Sequence, residues 1–302
     1  MINAREAVQK ARQLKTVIPA FNIPYLPMAE PVVRAVRDED SIAMLQVARL
    51  EWEKFGSRSL EAVAEEYRKF ADPLYTLLHL DHVPVIDEDL LEVDYLQILL
   101  RGVKAGYQSI MVDASRLVLE ENISATQKAV KIARAAGIPC EAELGAVMGH
   151  ASGDTTPYEE IFASKKGFTD QEEAARFVRE SGCDWLSVAV GSVHGAIAES
   201  MKLRKKPEAR LDVEHIKTLY EATGIPLVLH GGSGIKPDYI KRGIEAGIAK
   251  INVGTEIRQA YLASLENEPD DLPAAQEAVY RSVRDVICNL LGASGTRSLL
   301  LQ

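Results

Sequence analysis

The amino-acid sequence predicts an α/β fold, a parallel (β/α)8 TIM barrel with an extra N-terminal helix and further C-terminal helices. Short apolar stretches alternate along the chain with segments whose apolar residues recur every three or four positions. The first pattern is typical of buried parallel strands, and the second of amphipathic helices. Polar residues collect where the predicted strands end, which is where functional groups lie in this fold.

The predicted strands are short, apolar and bounded by glycine, proline or polar residues. They cover residues 16–22, 42–47, 74–78, 109–113, 140–145, 186–190, 226–229 and 249–253. The predicted helices cover residues 3–14, 27–37, 57–70, 90–105, 117–136, 170–181, 212–222, 237–246, 255–265 and 273–290.

Two long loops, at residues 146–168 and 195–210, interrupt this alternation. Loops of that length inside a compact domain indicate either a functional flap or disorder. No linker, internal repeat or low-complexity segment divides the chain. We therefore expect a single barrel domain over residues 1–302.

Composition excludes several classes of function. The formal net charge is −9 and no block of lysine and arginine is present, so we expect no nucleic-acid partner. The sequence has no signal-peptide pattern and no apolar run long enough to cross a bilayer, so we expect no membrane association. Cys140, Cys183 and Cys288 are widely spaced without a CxxC pair, which is typical of reduced thiols in a cytoplasmic protein.

Histidines follow three of the predicted strands. Asp81 and His82 end the sequence His-Leu-Asp-His at residues 79–82, and His194 and His230 follow two later strands. A single histidine of this kind is more often buried or capping, but three together beside an aspartate favour a metal site. Three imidazoles leave a tetrahedral Zn²⁺ one open position, the pattern of a catalytic site. Asp81 is then either a general acid/base or a partner that orients a histidine.

Two glycine-containing turns indicate a phosphate. The sequence Gly-Gly-Ser-Gly at 231–234 follows a strand and precedes a helix, and Asn-Val-Gly-Thr-Glu at 252–256 repeats this arrangement. Backbone amides and helix N-termini at such turns bind anions. In (β/α)8 barrels the turns after strands seven and eight often hold a phosphate. Asn22, Asp113 and Glu143 also fall at predicted strand ends.

Several motifs resemble the class II, zinc-dependent fructose-bisphosphate and tagatose-bisphosphate aldolases. They are His-Leu-Asp-His at 79–82, Val-His-Gly at 193–195, His-Gly-Gly-Ser-Gly at 230–234 and Lys-Ile-Asn-Val-Gly-Thr-Glu at 250–256. Ala-Phe-Asn at 20–22, Met-Val-Asp-Ala-Ser at 111–115 and Glu-Ala-Glu-Leu-Gly at 141–145 follow the same family in the same order. The resemblance covers nearly the whole chain.

The resemblance implies an aldolase that cleaves a ketose phosphate to dihydroxyacetone phosphate and an aldehyde such as glyceraldehyde 3-phosphate. His82, His194 and His230 would hold Zn²⁺, His79 would be a structural neighbour and Asp81 would transfer the hydroxyl proton. The dihydroxyacetone-phosphate half would be bound by Gly195, Gly231, Gly232, Ser233, Asn252, Val253, Gly254 and Thr255. A monovalent cation (Na⁺ or K⁺) near the phosphate and a homodimer or homotetramer are also implied.

The resemblance also implies roles for two further carboxylates near the metal and for an acid on a mobile loop. Asp113 and Glu143 match carboxylates near the metal, either as accessory ligands or outer partners, and a purely structural role is an equal alternative. The family carries acidic residues on a loop after the Glu-Leu-Gly motif. Here the candidates for that role are His150, Asp154 and Glu159.

One segment departs from the family, and it leaves alternatives open. Residues 49–55 (Arg-Leu-Glu-Trp-Glu-Lys-Phe) are bulky and charged where the family is rich in serine and glycine near the substrate. The alternatives to a fructose- or tagatose-bisphosphate aldolase are a divergent member acting on another ketose phosphate, a non-catalytic relative, and a zinc hydrolase on the same barrel.

Overall fold

The computed structural model describes residues 3–145, 158–192, 209–232 and 234–302, and it confirms the predicted fold class. Its strands are β1 (Ile18–Asn22), β2 (Ala43–Ala48), β3 (Thr76–Pro84), β4 (Ser109–Asp113), β5 (Cys140–Leu144), β6 (Trp185–Val188), β7 (Leu227–Leu229) and β8 (Ile248–Val253). Within the described residues, all eight strands run parallel and close into a barrel in sequence order, with β1 paired to β8.

Helices surround this barrel. They are α1 (Ala4–Gln13), α2 (Ala29–Asp38), α3 (Arg49–Lys54), α4 (Leu60–Phe70), α5 (Tyr95–Ala105), α6 (Leu119–Ala135), α7 (Tyr158–Ser164), α8 (Gln171–Ser181), α9 (Val213–Thr223), α10 (Pro237–Ala246), α11 (Thr255–Asn267), α12 (Leu272–Asp285) and α13 (Thr296–Leu300). In the described part of the chain, none of them has the length and apolar character needed to cross a membrane.

Side-chain caps fix where several helices begin. The side chains of Asn3, Ser59, Asp94, Asp170 and Asp271 each accept a hydrogen bond from a backbone N–H of the first helical turn. Each bond satisfies one of the amides that the helix itself leaves without a partner. Asn3 also forms a full capping box with Glu6.

The lower half of the barrel interior is apolar. Inward-facing side chains pack there against α1, which closes the bottom of the barrel. The members of this cluster are Ala4, Ala7, Val8, Ala11, Ile18, Ala20, Ile42, Met44, Leu77, Trp185, Val228, Ala249 and Leu300. A separate and larger apolar core lies between the strands and the surrounding helices.

The upper half of the interior is polar. Gln46, His79, Glu141, Ser187 and Lys250 are fully buried there. Gln46, His79 and Ser187 each lie two residues after an apolar inward-facing residue of the same strand. Side chains two residues apart share one face of a strand, so the change from apolar to polar occurs within single strands. Buried charges require partners, and this layer supplies them beneath the C-terminal rim.

Element boundaries differ from the prediction in several places, of which five are instructive. α3, α7 and α13 lie in segments predicted as loop or left unassigned, since each is too short to show a clear helical period. β3 continues to Pro84, beyond the apolar stretch at residues 74–78 that predicted the strand, because its polar residues face the barrel interior. β6 ends at Val188, two residues before its predicted end.

Candidate active site

A β-bulge at the end of β3 brings Asp81 and His82 to the same site. The register between β3 and β4 shifts between Leu80 and Val83. His82 has φ of 26°, which is uncommon for a residue other than glycine. Adjacent residues of a regular strand face opposite sides. The bulge instead turns the His82 side chain towards the side that Asp81 faces. Ligand atoms of Asp81, His82 and His230 consequently lie within 4.8 Å of one another.

Asp81 is held by three side-chain amides. Asn22 Nδ2 and Gln46 Nε2 donate to Asp81 Oδ2 over 3.0 and 3.2 Å. Asn252 Nδ2 donates to Asp81 Oδ1 over 3.0 Å. Burial raises the pKa of Asp81, but the nearby histidines and Lys250 outweigh burial and leave this pKa below its usual value. Asp81 is therefore a carboxylate in a fixed orientation, which is the form a general base requires.

A second group of ligand atoms surrounds Glu143. Its Oε2 lies 3.3 Å from His230 Nδ1 and 3.9 Å from His82 Nδ1. Asp113 Oδ2 lies 3.1 Å from the same nitrogen of His82, and Asp113 Oδ1 accepts a hydrogen bond from Ser115. The imidazole rings of His82 and His230 have centroids 4.5 Å apart. The structure thus gathers four of the predicted metal-site residues.

The carboxylates create a negative field around both imidazoles. Burial disfavours the charged form of His82, but Asp81, Asp113 and Glu143 outweigh burial and raise the pKa of His82 to about 10. The pKa of His230 is also raised, because its contacts with carboxylates exceed the effect of burial. Such a field stabilises a cation, and imidazole with carboxylate is a donor set that Zn²⁺ accepts. The residues present therefore fit a divalent metal.

The two predicted phosphate turns lie side by side. The Gly232 N–H donates to the Asn252 carbonyl over 3.3 Å, so that amide is used within the protein. A Cβ added at Gly232 would lie 2.6 Å from Ile251 Cγ2, which explains the glycine. Val253 is fully buried, and its side chain packs in the outer core. α11 begins at Thr255, and its N-terminus adds positive potential at this position.

The divergent segment after β2 forms α3, and it presents Glu51 to the site. Arg49 instead pairs with Asp87 at 3.3 Å in the loop after β3. Glu51 is 9% exposed, and its Oε2 accepts hydrogen bonds from the Ala48 N–H at 2.8 Å and from Asn22 Nδ2 at 3.3 Å. Since Asn22 also binds Asp81, one amide joins the two carboxyl groups. Sequence patterns alone did not distinguish Glu51 from its neighbours.

We expect Glu51→Gln to stabilise the metal-free protein at alkaline pH. Burial and the charge of Asp81 raise the pKa of Glu51 to about 8, against 4.5 for the ordinary side chain. Between these values the unfolded chain binds fewer protons than the folded one, so wild-type stability falls as pH rises. The substitution removes that loss, a gain on the order of a few kcal/mol at pH 8.

The check is urea unfolding in chelator at pH 5 and pH 8. Glu53→Gln is the matched control, because Glu53 lies on the same helix with a side chain 46% exposed. Parallel pH profiles for wild type and Glu51→Gln would contradict the assigned protonation of Glu51.

Several predicted site residues lie outside the described part of the chain. They are His194, Gly195 and Ser233, together with the loop-acid candidates His150 and Asp154. Glu159, the third candidate for the loop acid, lies on α7, where Arg210 Nη2 contacts its carboxylate at 2.7 Å. The predicted metal ligand His194 therefore stays a prediction.

Two residues beneath the rim were not predicted as site residues. Glu141 Oε1 lies 2.9 Å from His230 Nε2, and Glu141 Oε2 lies 2.9 Å from Lys250 Nζ. A signal for both was present in the sequence, since each is a charged residue two positions before a predicted rim residue on a buried strand. That spacing places Glu141 beneath Glu143 and Lys250 beneath Asn252.

Known proteins resemble this chain in both sequence and architecture. Residues 2–296 match the family described as fructose-bisphosphate aldolase class-II. A "probable fructose-bisphosphate aldolase" of Bacillus subtilis is 30% identical over 298 residues, covering 94% of this chain and 95% of that protein. A "6-phospho-5-dehydro-2-deoxy-D-gluconate aldolase" of Halalkalibacterium halodurans is 33% identical over 266 residues, covering 86% of this chain and 82% of that protein.

A solved structure agrees with these relatives. The crystal structure of the YdjI aldolase from Escherichia coli K12 superposes with a TM-score of 0.77 at 28% identity, covering 97% of this chain and 98% of that one. The shared barrel and the family match over residues 2–296 together assign this chain to a family. The chain belongs to the class II fructose-bisphosphate aldolase family, and it is a carbon–carbon lyase of a metal-dependent class.

Proposed function

We propose that this protein is a zinc-dependent aldolase that reversibly cleaves a ketose phosphate to dihydroxyacetone phosphate and an aldehyde. The observation that carries the proposal is the fixed Asp81 carboxylate beside the half-buried His82 and the buried His230. His82, His230 and the predicted ligand His194 would hold the Zn²⁺. When bound, the metal would supply Lewis-acid stabilisation of negative charge on the substrate's ketone and adjacent hydroxyl oxygens.

The proposed step needs one base and one acid from the protein. Asp81 takes the proton from the hydroxyl on the carbon that becomes the aldehyde. That C–O bond becomes a carbonyl, the adjacent C–C bond breaks, and its electron pair passes to the dihydroxyacetone-phosphate half as an enediolate. A proton then returns to carbon from the loop acid, for which His150, Asp154 and Glu159 are the candidates. Nothing in this sequence requires a lysine Schiff base.

The identity of the aldehyde half is a separate part of the proposal. We propose that it meets Glu51 and differs from glyceraldehyde 3-phosphate. Glu51 lies beside Asn22, which contacts the general base, while Arg49 points away towards Asp87. Because its pKa is raised to about 8, Glu51 is a neutral carboxyl group near pH 7; it offers a phosphate no positive charge but can hydrogen-bond to hydroxyl groups, which favours an aldehyde that ends in hydroxyls.

We expect the turns after β7 and β8 to require a phosphate on the other half. Gly232→Ala forces its Cβ against Ile251 and displaces the turn, so the KM for dihydroxyacetone phosphate should rise about tenfold or more. Ser233→Ala should remove one charged hydrogen bond, roughly 1.5–3 kcal/mol. The measurement is condensation kinetics with dihydroxyacetone phosphate and with unphosphorylated dihydroxyacetone. Equal activity of the two nucleophiles in wild type would overturn this assignment of the turns.

The overall test is a condensation screen with dihydroxyacetone phosphate held fixed and the aldehyde varied. The panel pairs glyceraldehyde 3-phosphate with glyceraldehyde and longer hydroxyaldehydes, and it is run with zinc-loaded and chelated protein. Product formation that needs both zinc and dihydroxyacetone phosphate supports the proposal. Hydrolysis of the ketose phosphate without C–C cleavage would favour a hydrolase.

The remaining parts of the proposal follow family usage. We propose a monovalent cation, Na⁺ or K⁺, near the bound phosphate, a homodimer or homotetramer, a single domain over residues 1–302, and a cytoplasmic location. Activity in Na⁺, K⁺ and a bulky organic cation tests the first of these. Light scattering tests the oligomer.

A further inference from the structure

Lys250 lies at the centre of the polar layer beneath the rim. Its side chain is fully buried and points into the barrel from β8. Its Nζ lies 2.9 Å from Glu141 Oε2 and donates to Asn252 Oδ1 over 2.7 Å. The apolar bottom of the barrel lies below it, and Lys250 belongs neither to the set of metal-ligand atoms nor to the phosphate turns. The role of Lys250 follows from the contacts that its two partners make.

The first partner leads to a histidine of the metal site. Glu141 Oε1 lies 2.9 Å from His230 Nε2. A carboxylate only accepts hydrogen bonds, so Nε2 must carry the proton of this imidazole. The other nitrogen, Nδ1, is then directed towards Glu143, where its distance to Oε2 is 3.3 Å. Lys250 Nζ, 2.9 Å from Glu141 Oε2, holds the Glu141 carboxylate in the orientation that this arrangement needs.

The second partner leads to the general base. Asn252 Oδ1 accepts from Lys250, so the amide must turn its Nδ2 upward. That nitrogen donates to Asp81 Oδ1 over 3.0 Å. Without Lys250, exchanging the oxygen and nitrogen positions of the Asn252 amide would change little in the hydrogen bonding at its lower end. The exchanged orientation would direct an oxygen at the Asp81 carboxylate.

We propose that Lys250 is a positioning residue that sets two active-site groups at once, His230 through Glu141 and Asp81 through Asn252. This inference rests on the proposed function of Asp81 and His230. Lys250 itself touches neither the substrate nor the metal. It couples the orientation of the metal ligand to that of the proton-transfer group, because a single ammonium group donates to both supports.

A third neighbour is consistent with this role. His79 Nε2 lies 3.7 Å from Glu141 Oε2, and His79 Nδ1 lies 2.8 Å from Ser109 Oγ. Burial and the Lys250 charge lower the pKa of His79 to about 3, so this imidazole is neutral. Lys250 is thus the cation that balances Glu141 in this layer.

The experiment compares Lys250→Met with wild type in two readouts. Zinc affinity is measured by chelator competition without substrate, together with the visible spectrum of the Co²⁺-loaded protein. We expect zinc to bind about 10–100-fold more weakly and the Co²⁺ spectrum to change, the effect of losing an outer partner. With metal at saturation we expect kcat to fall at least about a hundredfold while KM stays within threefold.

Stability alone must be separated from positioning. Lys250→Met leaves Glu141 buried without its cation, so the single variant can fail to fold. Lys250→Met combined with Glu141→Gln removes both charges, and we expect this folded double variant to keep the loss in kcat. Tyr107→Phe is the matched control, because it removes a buried hydrogen bond to the Leu60 carbonyl (2.8 Å) outside the barrel interior. It should lower stability and leave metal affinity and kcat unchanged.

A folded Lys250 variant, single or double, with wild-type zinc affinity and wild-type kcat would overturn the inference. The inference would also be overturned if both Lys250 variants lost stability but matched Tyr107→Phe in zinc affinity, Co²⁺ spectrum and kcat. Failure of the aldolase proposal would show differently, as wild-type protein that binds zinc but joins no aldehyde to dihydroxyacetone phosphate. The metal-affinity and Co²⁺ readouts remain decisive for Lys250 in that case.

Discussion

Asp81→Asn should lower turnover by about two to four orders of magnitude while the protein keeps its zinc and its fold. The loss is the usual share of general acid/base catalysis, since an amide cannot take the hydroxyl proton. The fold survives because Asn retains one oxygen that can accept from Asn22 and Gln46, which both donate to one atom of Asp81. The measurements are kcat at saturating zinc and zinc content after gel filtration.

Asp113→Asn provides the matched comparison, since it is the same chemical change at another rim acid. Asp113 contacts His82 Nδ1 at 3.1 Å, so its loss should weaken zinc binding about 10–100-fold. Excess zinc should then restore most of the turnover of Asp113→Asn but none of that lost in Asp81→Asn. If Asp81→Asn loses its zinc instead, Asp81 is a ligand or an orienting residue, and the proton must be taken elsewhere.

Removal of the metal should abolish activity, and Zn²⁺ or Co²⁺ should restore it. His82→Ala, His194→Ala and His230→Ala should each weaken zinc binding by more than the 10–100-fold that loss of an outer partner costs. The reason is that each change would delete one proposed ligand of a site with an open position. Zinc content and activity after dialysis against chelator provide the measurement.

His215→Gln is the control for these histidine variants. His215 lies on α9, and its Nε2 contacts the Thr169 carbonyl at 2.8 Å, away from the rim residues described above. It should retain zinc and activity. Full activity of metal-free wild-type protein would rule out metal-dependent catalysis, and zinc retention by His194→Ala would remove His194 from the ligand set.

The sequence predicted the barrel because its strands are buried on both faces. Stretches such as residues 109–113 are apolar enough to be recognised without knowledge of their neighbours, and β4 has the predicted bounds. The rim residues could be placed for a related reason. In a parallel barrel every strand ends at the same face, so Asp81, Asp113, Glu143 and His230 were expected to meet there and do so.

Other features depend on contacts that a strand pattern does not contain. In a regular strand His82 would lie on the face opposite Asp81, and only the bulge against β4 brings both to one site. The segment at residues 49–55 showed unusual charges but not their directions. Whether Arg49 or Glu51 faces the site is decided by Asp87 in the loop after β3 and by Asn22 at the end of β1.

The sequence by itself determined the fold class, the family resemblance and the acids and histidines of the rim, because these depend on local apolar periodicity and on residue types at strand ends. Tertiary structure alone decided which atoms of those side chains face one another. Lys250 shows the physical reason: its contact with Glu141 joins β8 to β5 and so to the histidine that follows β7. Barrel closure brings distant strands together and so sets which of their side chains donate and accept hydrogen bonds to one another. A local sequence pattern contains no information on this closure.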